Sequence, residues 1–244
     1  MQLSGAQILV QSLSAENVEY VFGYPGGAVL EIYDALFQLS KFEHILVRHE
    51  QAAVHAADAY ARTSGKVGVV LVTSGPGATN AITGIATAYS DSIPLVVISG
   101  QVATPVIGSD AFQEIDMIGV SRPCVKHNFL VTNANQLKDV ISKAFFISQN
   151  GRPGPVLIDI SKDAFNQEMD ETEYYPISKS ADLRHLKYDD EIKKTAELIK
   201  NAKKTIIYAG GGVIKSKSWE SLNTLATKHN IPVVNSIMGL GSFD

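Results

Sequence analysis

The sequence is poor in cysteine and in charge. Cys124 is the one cysteine in 244 residues, so no disulfide framework can form within the chain, and a cytoplasmic, reducing location is expected. Charged residues make up 19%, below the ~25% of an average globular protein. The net charge is −4, so no basic excess invites nucleic acid or an acidic membrane. No segment reaches the ~20 apolar residues of a membrane span. The first ten residues lack a basic group and a long apolar run, so no secretory leader is expected. Ser4 and Gln7 instead have the spacing of a capping box ahead of Ile8, Leu9 and Leu13. Repeats and low-complexity tracts are missing too. What is present is a 45% hydrophobic chain, long enough for one or two domains with a substantial core.

Short apolar runs alternate with helical patterns. Strands are expected at Tyr20–Gly23, His44–Val47, Gly68–Val72, Leu95–Ser99, Val125–Leu130 and Val156–Ile160. Helices are expected near 5–15, 28–38, 50–63, 77–89 and 135–149. Val29, Ile32, Tyr33, Leu36 and Phe37 form the stripe of a half-buried helix. The strand runs are continuous rather than alternating, the pattern of a parallel sheet covered on both faces. The fold class is α/β, a three-layer parallel-sheet domain over 1–165. Residues 166–187, acidic and then rich in Tyr, Pro and polar groups, read as a linker. Over 188–244 a second α/β domain begins, incomplete, with about one βαβ unit.

In open α/β sheets ligands sit outside the carboxyl ends of the strands, so the strand-to-helix junctions are the places to search. Gly23-Tyr-Pro-Gly-Gly27 is either a tight turn or a loop whose backbone approaches a ligand. Arg48-His-Glu-Gln51 places Glu50 in the first turn of a helix. There it either stabilises the helix N-terminus or transfers a proton. The helix that follows has six alanines between 52 and 61, which favour helix and also permit close packing on a partner. Thr73-Ser-Gly-Pro-Gly-Ala-Thr-Asn80 has the look of a ligand loop. Ser109-Asp-Ala-Phe-Gln-Glu114 is either a polar loop with Phe112 tucked into the core or a part of the site. Gly151-Arg-Pro-Gly-Pro155 and Ser161-Lys-Asp163 flank a strand, and read alone are a turn and a solvated lysine.

Several chemistries fail on spacing. Val72 stands where a nucleophile elbow around Ser74 needs glycine, which argues against a hydrolase. No Gly-Lys-Ser/Thr makes a P-loop, and His49-Glu50 lacks the second histidine of a zinc helix. Gly210-Gly211-Gly212 lacks the last glycine of a dinucleotide fingerprint. The residues by themselves define an α/β ligand-binding domain with a candidate acid/base at Glu50.

Taken together and in this order, the stretches 23–27, 48–51, 73–80, 109–114 and 151–155 resemble the N-terminal half of the acetolactate (acetohydroxyacid) synthase large subunits, thiamine diphosphate enzymes. The resemblance covers essentially the whole chain. It implies that Glu50 hydrogen-bonds the cofactor's aminopyrimidine N1′ and promotes proton removal from the thiazolium. It implies decarboxylation of pyruvate and condensation with pyruvate or 2-oxobutyrate, in branched-chain amino acid biosynthesis. Gly27, Phe112, Gln113 and Lys162 match positions lining the family's active site, Gln113 and Lys162 as catalytic candidates and Phe112 on the substrate. Gly75, Pro76 and Asn80 match the loop near the pyrimidine. Arg152 and Gly210, Gly211 and Gly212 match positions that hold FAD. The family's Mg²⁺ and diphosphate are bound by a Gly-Asp-Gly segment that these 244 residues lack, so no metal ligand is expected here and the chain alone is expected to be inactive. A homodimer or tetramer through the first domain, and a small regulatory subunit, are the implied partners. Ala52 replaces a usual glycine, and Thr104-Pro105 replaces two arginines near the family's inhibitor channel. The alternatives are a sister enzyme of the pyruvate oxidase or sulfoacetaldehyde acetyltransferase type, and a non-catalytic fragment that binds partner chains.

Overall fold

Ser4 ends one short strand and starts a helix. Its hydroxyl accepts from the Gln7 N–H at 3.2 Å, while the Gln7 side-chain oxygen accepts from the Ser4 N–H at 2.9 Å, the reciprocal cap that the spacing predicts. The computed structural model describes residues 2–170, 174–177 and 188–243. It divides into two compact units, Met1–Leu183 and Arg184–Asp244.

The first unit runs β1 (Gln2–Ser4), α1 (Gly5–Ala15), β2 (Tyr20–Gly23), α2 (Leu30–Leu39), β3 (Glu43–Leu46), α3 (Glu50–Ser64), β4 (Gly68–Val72), α4 (Pro76–Ser90) and β5 (Leu95–Gln101). Then come α5 (Met117–Ser121), β6 (His127–Val131), α6 (Leu137–Gln149), β7 (Pro155–Ser161), α7 (Lys162–Asn166) and β8 (Glu168–Asp170). Six strands form one parallel sheet in the order β3-β2-β4-β5-β7-β6. The chain moves from β2 outward to β3, then returns to place β4 on the other side of β2. The order therefore reverses between β2 and β4, the kind of switch point at whose carboxyl ends open α/β sheets bind ligands.

β4, β5 and β7 are buried along their whole length, as the unbroken apolar runs predict. The two-residue period divides those runs between two cores. Val69, Leu71, Val96, Ile98, Val156 and Ile158 face one core with side chains of α1, α2 and α6. Val70, Val72, Leu95, Val97 and Leu157 face the other with α3 and α4. On that second face small residues bring the helices close: Ala53, Ala57 and Ala61 share a core with Ala78, Ala81 and Ala88. A Cβ on Gly84 would stand 2.6 Å from Val54 Cβ. Half of the alanine-rich surface is thus consumed inside the chain, while Ala52 and Ala59 stay exposed.

The structure differs from the sequence reading in three stretches. Residues 168–170, read as linker, pair antiparallel with β1. Further on, the Tyr174 hydroxyl donates to Glu16 Oε1 at 2.6 Å and the Ile177 N–H to Ser142 Oγ at 2.6 Å. These contacts tie the chain down after the expected boundary at 165; residues 171–173 and 178–187 of that stretch lie outside the described residues. β6 begins at His127 rather than Val125, because Arg122–Cys124 first forms a 3-10 turn around a proline. A short helix, α7, follows β7 directly and buries Phe165.

The second unit holds α8 (Asp189–Asn201), β9 (Ile207–Ala209), α9 (Gly211–Lys215), α10 (Trp219–His229) and β10 (Val233–Asn235). β9 and β10 pair in parallel, the βαβ arrangement expected. Gly210 caps α9, which the sequence reading leaves as a glycine run. No residue of α8 is buried.

Candidate functional site

The reversal of strand order brings the loop after β2 against the loop after β4. Thr73 is the joint. Its hydroxyl accepts from the Ala28 N–H at 3.2 Å. A Cβ on Gly26 would lie 2.4 Å from Thr73 Cγ2, and one on Gly77 would lie 2.7 Å from the same methyl. Only hydrogen fits at either glycine, so two backbones meet around one threonine.

Glu50 lies next to this joint. His49 caps α3 through Nδ1, which accepts from the Gln51 N–H at 3.2 Å, and Glu50 follows as the first helical residue. It is 7% exposed. Asn80, at the start of the second turn of α4, donates to Glu50 Oε2 at 3.0 Å. The other oxygen, Oε1, faces Gly77, where a Cβ would approach to 3.1 Å. Among the described residues Oε1 accepts no hydrogen bond. A buried carboxylate held by one oxygen, with the second free beside a glycine, is built to accept from a further donor.

Gly75 joins a third loop to the site. Its φ of +56 is one that L side chains rarely adopt, and a Cβ there would stand 2.5 Å from the Gln113 carbonyl oxygen. Gln113 itself has a φ of +59. Next to it Phe112 is 88% exposed, which overturns the alternative that it is tucked into the core. Glu114 braces the loop: its carboxylate accepts from the N–H groups of Gly108 and Ala111. Those bonds hold its carboxyl below the usual range.

Glu50, Gly75, Asn80 and Gln113 are thereby brought together, with Pro76 exposed at the start of α4. Gly27 is open, with nothing within 4 Å of a Cβ there. Lys162 follows the carboxyl end of β7, half-buried, and makes no hydrogen bond to these groups among the described residues. Arg152 lies elsewhere, at the amino end of β7. Its Nε donates to Ser92 Oγ at 2.6 Å and its Nη2 to the carbonyls of Tyr89 and Ser90 at the end of α4. Gly210, Gly211 and Gly212 belong to the second unit, where a Cβ on Gly212 would meet nothing within 4 Å.

Sequence reasoning passed over a polar cluster behind the site. Ser99 and Gln101 of β5 both hydrogen-bond Asp159 of β7, at 2.6 and 2.9 Å. Asp159 is 1% exposed, and burial pushes its carboxyl up to about 7 against the pull of both hydrogen bonds. The signal was an aspartate inside the apolar run Val156-Leu-Ile-Asp-Ile160, an expensive burial unless partnered.

Described residues offer no group of three His, Cys, Asp or Glu side chains able to hold a metal ion. No helix among them is long and apolar enough to cross a membrane.

Comparison with known proteins places this geometry in context. The family described as "Thiamine pyrophosphate enzyme, N-terminal TPP binding domain" matches residues 3–120. The "Thiamine pyrophosphate enzyme, central domain" matches residues 192–244. The chain is 56% identical to the acetolactate synthase large subunit of Haemophilus influenzae, over 99% of this chain and 43% of that protein. It is 54% identical to the acetolactate synthase isozyme 3 large subunit of Escherichia coli, over 99% of this chain and 42% of that protein. A probable acetolactate synthase large subunit of Methanococcus aeolicus is 51% identical, over 98% and 40%. The chain therefore spans less than half the length of the curated relatives it matches.

Proposed function

We propose, for a chain that belongs to the thiamine pyrophosphate enzymes, that it forms the pyrimidine-binding part and the start of the central domain of an acetolactate synthase large subunit. The whole protein would decarboxylate pyruvate and join the remaining two-carbon unit to a second 2-oxoacid, pyruvate or 2-oxobutyrate, in branched-chain amino acid biosynthesis. The observation that carries this reading is Glu50, a buried carboxylate at the switch point with one oxygen fixed by Asn80 and the other free beside Gly77. That oxygen fits an aminopyrimidine, whose ring nitrogen can share one proton with a carboxylate.

Bound thiamine diphosphate supplies a carbon nucleophile for 2-oxoacids. The protein's own groups orient and exchange protons. Glu50 Oε1 would take and return the proton at the pyrimidine ring nitrogen, with Asn80 holding the carboxylate in place. Gly26, Gly27, Gly75 and Pro76 would let the backbone approach the ring. Phe112 would cover the substrate, and Gln113 and Lys162 would donate to its carboxylate or carbonyl. For Arg152, in the first unit, we propose a contact with FAD, a guanidinium suiting a diphosphate or flavin edge; for Gly210, Gly211 and Gly212, in the second unit and taken by itself, we propose a backbone approach to a flavin nucleotide. No three His, Cys, Asp or Glu side chains gather among the described residues, so none of them is proposed as a Mg²⁺ ligand. Its ligands and the diphosphate site are assigned to the remaining length of the protein. Partners are a second copy, dimer or tetramer, and a small regulatory subunit, which the name "large subunit" carried by the relatives implies. A cytoplasmic location accords with the single cysteine, buried in the fold.

The test is to express the complete reading frame and assay it with pyruvate, thiamine diphosphate, Mg²⁺ and FAD. Acetolactate formation is expected. Acetyl phosphate or free acetaldehyde as the main product would replace this reading with a sister enzyme.

A further inference from the structure

The loop between β5 and α5 leaves the sheet after Gln101 and returns at Ile115. Both ends are held by one side chain. Gln101 Oε1 accepts from the Val102 N–H at 2.8 Å, and Gln101 Nε2 donates to the Ile115 carbonyl at 2.8 Å. The same Nε2 donates to Asp159 Oδ2 at 2.9 Å, which leaves the amide no free hydrogen and no choice of rotamer. Asp159 is fixed in turn by the Ser99 hydroxyl on its other oxygen, at 2.6 Å. Ser99, Gln101 and Asp159 are all buried, so water does not compete for these bonds.

The alternation of the strands explains the place. Leu95 and Val97 of β5 and Leu157 of β7 line the core beneath α3 and α4. Ser99, Gln101 and Asp159 continue those same faces toward the carboxyl edge. The face turns from apolar to polar where the site begins. The loop it closes carries Gln113, whose carbonyl lies against Gly75, and the exposed Phe112. A second tie runs from Thr104 N–H and hydroxyl to Asp163 Oδ1 at 2.8 and 3.0 Å.

We infer that Gln101 and Asp159 are positioning residues: Asp159 orients the Gln101 amide, and that amide closes the 102–115 loop and sets where Phe112 and Gln113 meet the substrate. This rests on the reading above that the loop meets the substrate. Loop closures of this kind hold a compact surface loop by its ends, and a displacement of ~1 Å in a positioning element can cost about 10²-fold in rate.

The experiment uses the complete protein and three variants. Gln101→Met keeps size and removes both ends of the closure. Asp159→Leu removes the acceptor. Asp159→Asn keeps an oxygen for Gln101 and a donor for Ser99. Hydrogen exchange of the 102–116 peptide should quicken roughly tenfold or more in Gln101→Met and Asp159→Leu, the effect of a lost buried partner. Peptides from β4 and α3 should keep their wild-type exchange, and Asp159→Asn should stay close to wild type throughout. In turnover of pyruvate, Gln101→Met should lose roughly 10²-fold in kcat/KM with unchanged affinity for thiamine diphosphate. Unchanged exchange of the loop in Gln101→Met overturns the inference. So does exchange that rises equally in β4 and α3, since that is global loosening. A loosened loop with wild-type kcat/KM overturns the positioning role. A wild-type protein that makes no acetolactate refutes the functional reading instead, and leaves the exchange result to judge the closure.

Discussion

Glu50 and the glycines around it respond to single atoms. Gly77→Ala would place a methyl 3.1 Å from Glu50 Oε1 and 2.7 Å from Thr73 Cγ2. The shorter contact forces Thr73 or the start of α4 to shift, and the longer one presses on the carboxylate, so the geometry around Glu50 is disturbed. We expect this variant to fold, with stability lower by about 1–3 kcal/mol as for other overpacked sites, and to bind thiamine diphosphate weakly; calorimetric titration checks both. Asp159 makes a separate prediction in pH. Its native carboxyl sits at about 7, whereas an unfolded aspartate titrates near ~3.9. Between those values the native state binds the extra proton, so stability is highest at acid pH and falls as pH rises toward 7, then levels off. The nearby Asp116 carboxylate adds to the same shift. The full effect is on the order of 4 kcal/mol. Urea unfolding at pH 5 and pH 8 should show the loss in wild type and a smaller one in Asp159→Asn; equal losses would place the proton elsewhere.

At the scale of elements, the α3–α4 pair depends on Gly84. A Cβ there would stand 2.6 Å from Val54 Cβ, so Gly84→Val should separate the helices and shift the urea midpoint downward, again by about 1–3 kcal/mol. These elements were legible because period and burial agree. Gly68–Val72 is continuous, apolar and β-branched, and Ser4–Gln7 is a complete cap. β8 was not legible: three residues with no apolar period become a strand only because β1 offers an edge. α7 and α9 were hidden likewise, too short to repeat a stripe. The site divides along the same line. The glycine and proline loop after β4 pointed to Gly75 and Asn80, the position just past a strand end pointed to Glu50, and Gln113 came from the family resemblance alone. Thr73 and Asp159 escaped because their roles come from neighbours distant in sequence, Gly26 for one and Gln101 for the other. Exposure of Phe112 could not be read either, since an aromatic residue in a polar loop is compatible with burial or display.

The molecule as a whole is two units with unequal cores. The first buries large side chains on both faces of its sheet. The second leaves Ile206, Tyr208, Val234, Ile237 and Leu240 exposed, apolar side chains that association would remove from water. We therefore expect this 244-residue chain to associate in solution. Sedimentation velocity should give a mass above the 26.3 kDa of one chain, and a strictly monomeric mass would contradict the expectation. Alone it should not turn over pyruvate, since it spans less than half the length of the large subunits it matches; acetolactate formed by this chain by itself would contradict that expectation.

The account stands or falls on Glu50 as the group that exchanges a proton with the pyrimidine ring. The direct measurement is deuterium exchange at the thiazolium C2 of thiamine diphosphate bound to the complete protein, wild type against Glu50→Gln. The amide keeps the size of the side chain and its bond to Asn80 but cannot take the proton. Exchange should slow by at least about 10²-fold, the usual loss when a general base is removed, at unchanged cofactor occupancy. Exchange at the wild-type rate would contradict the assignment and reduce Glu50 to a carboxylate that stabilises the start of α3.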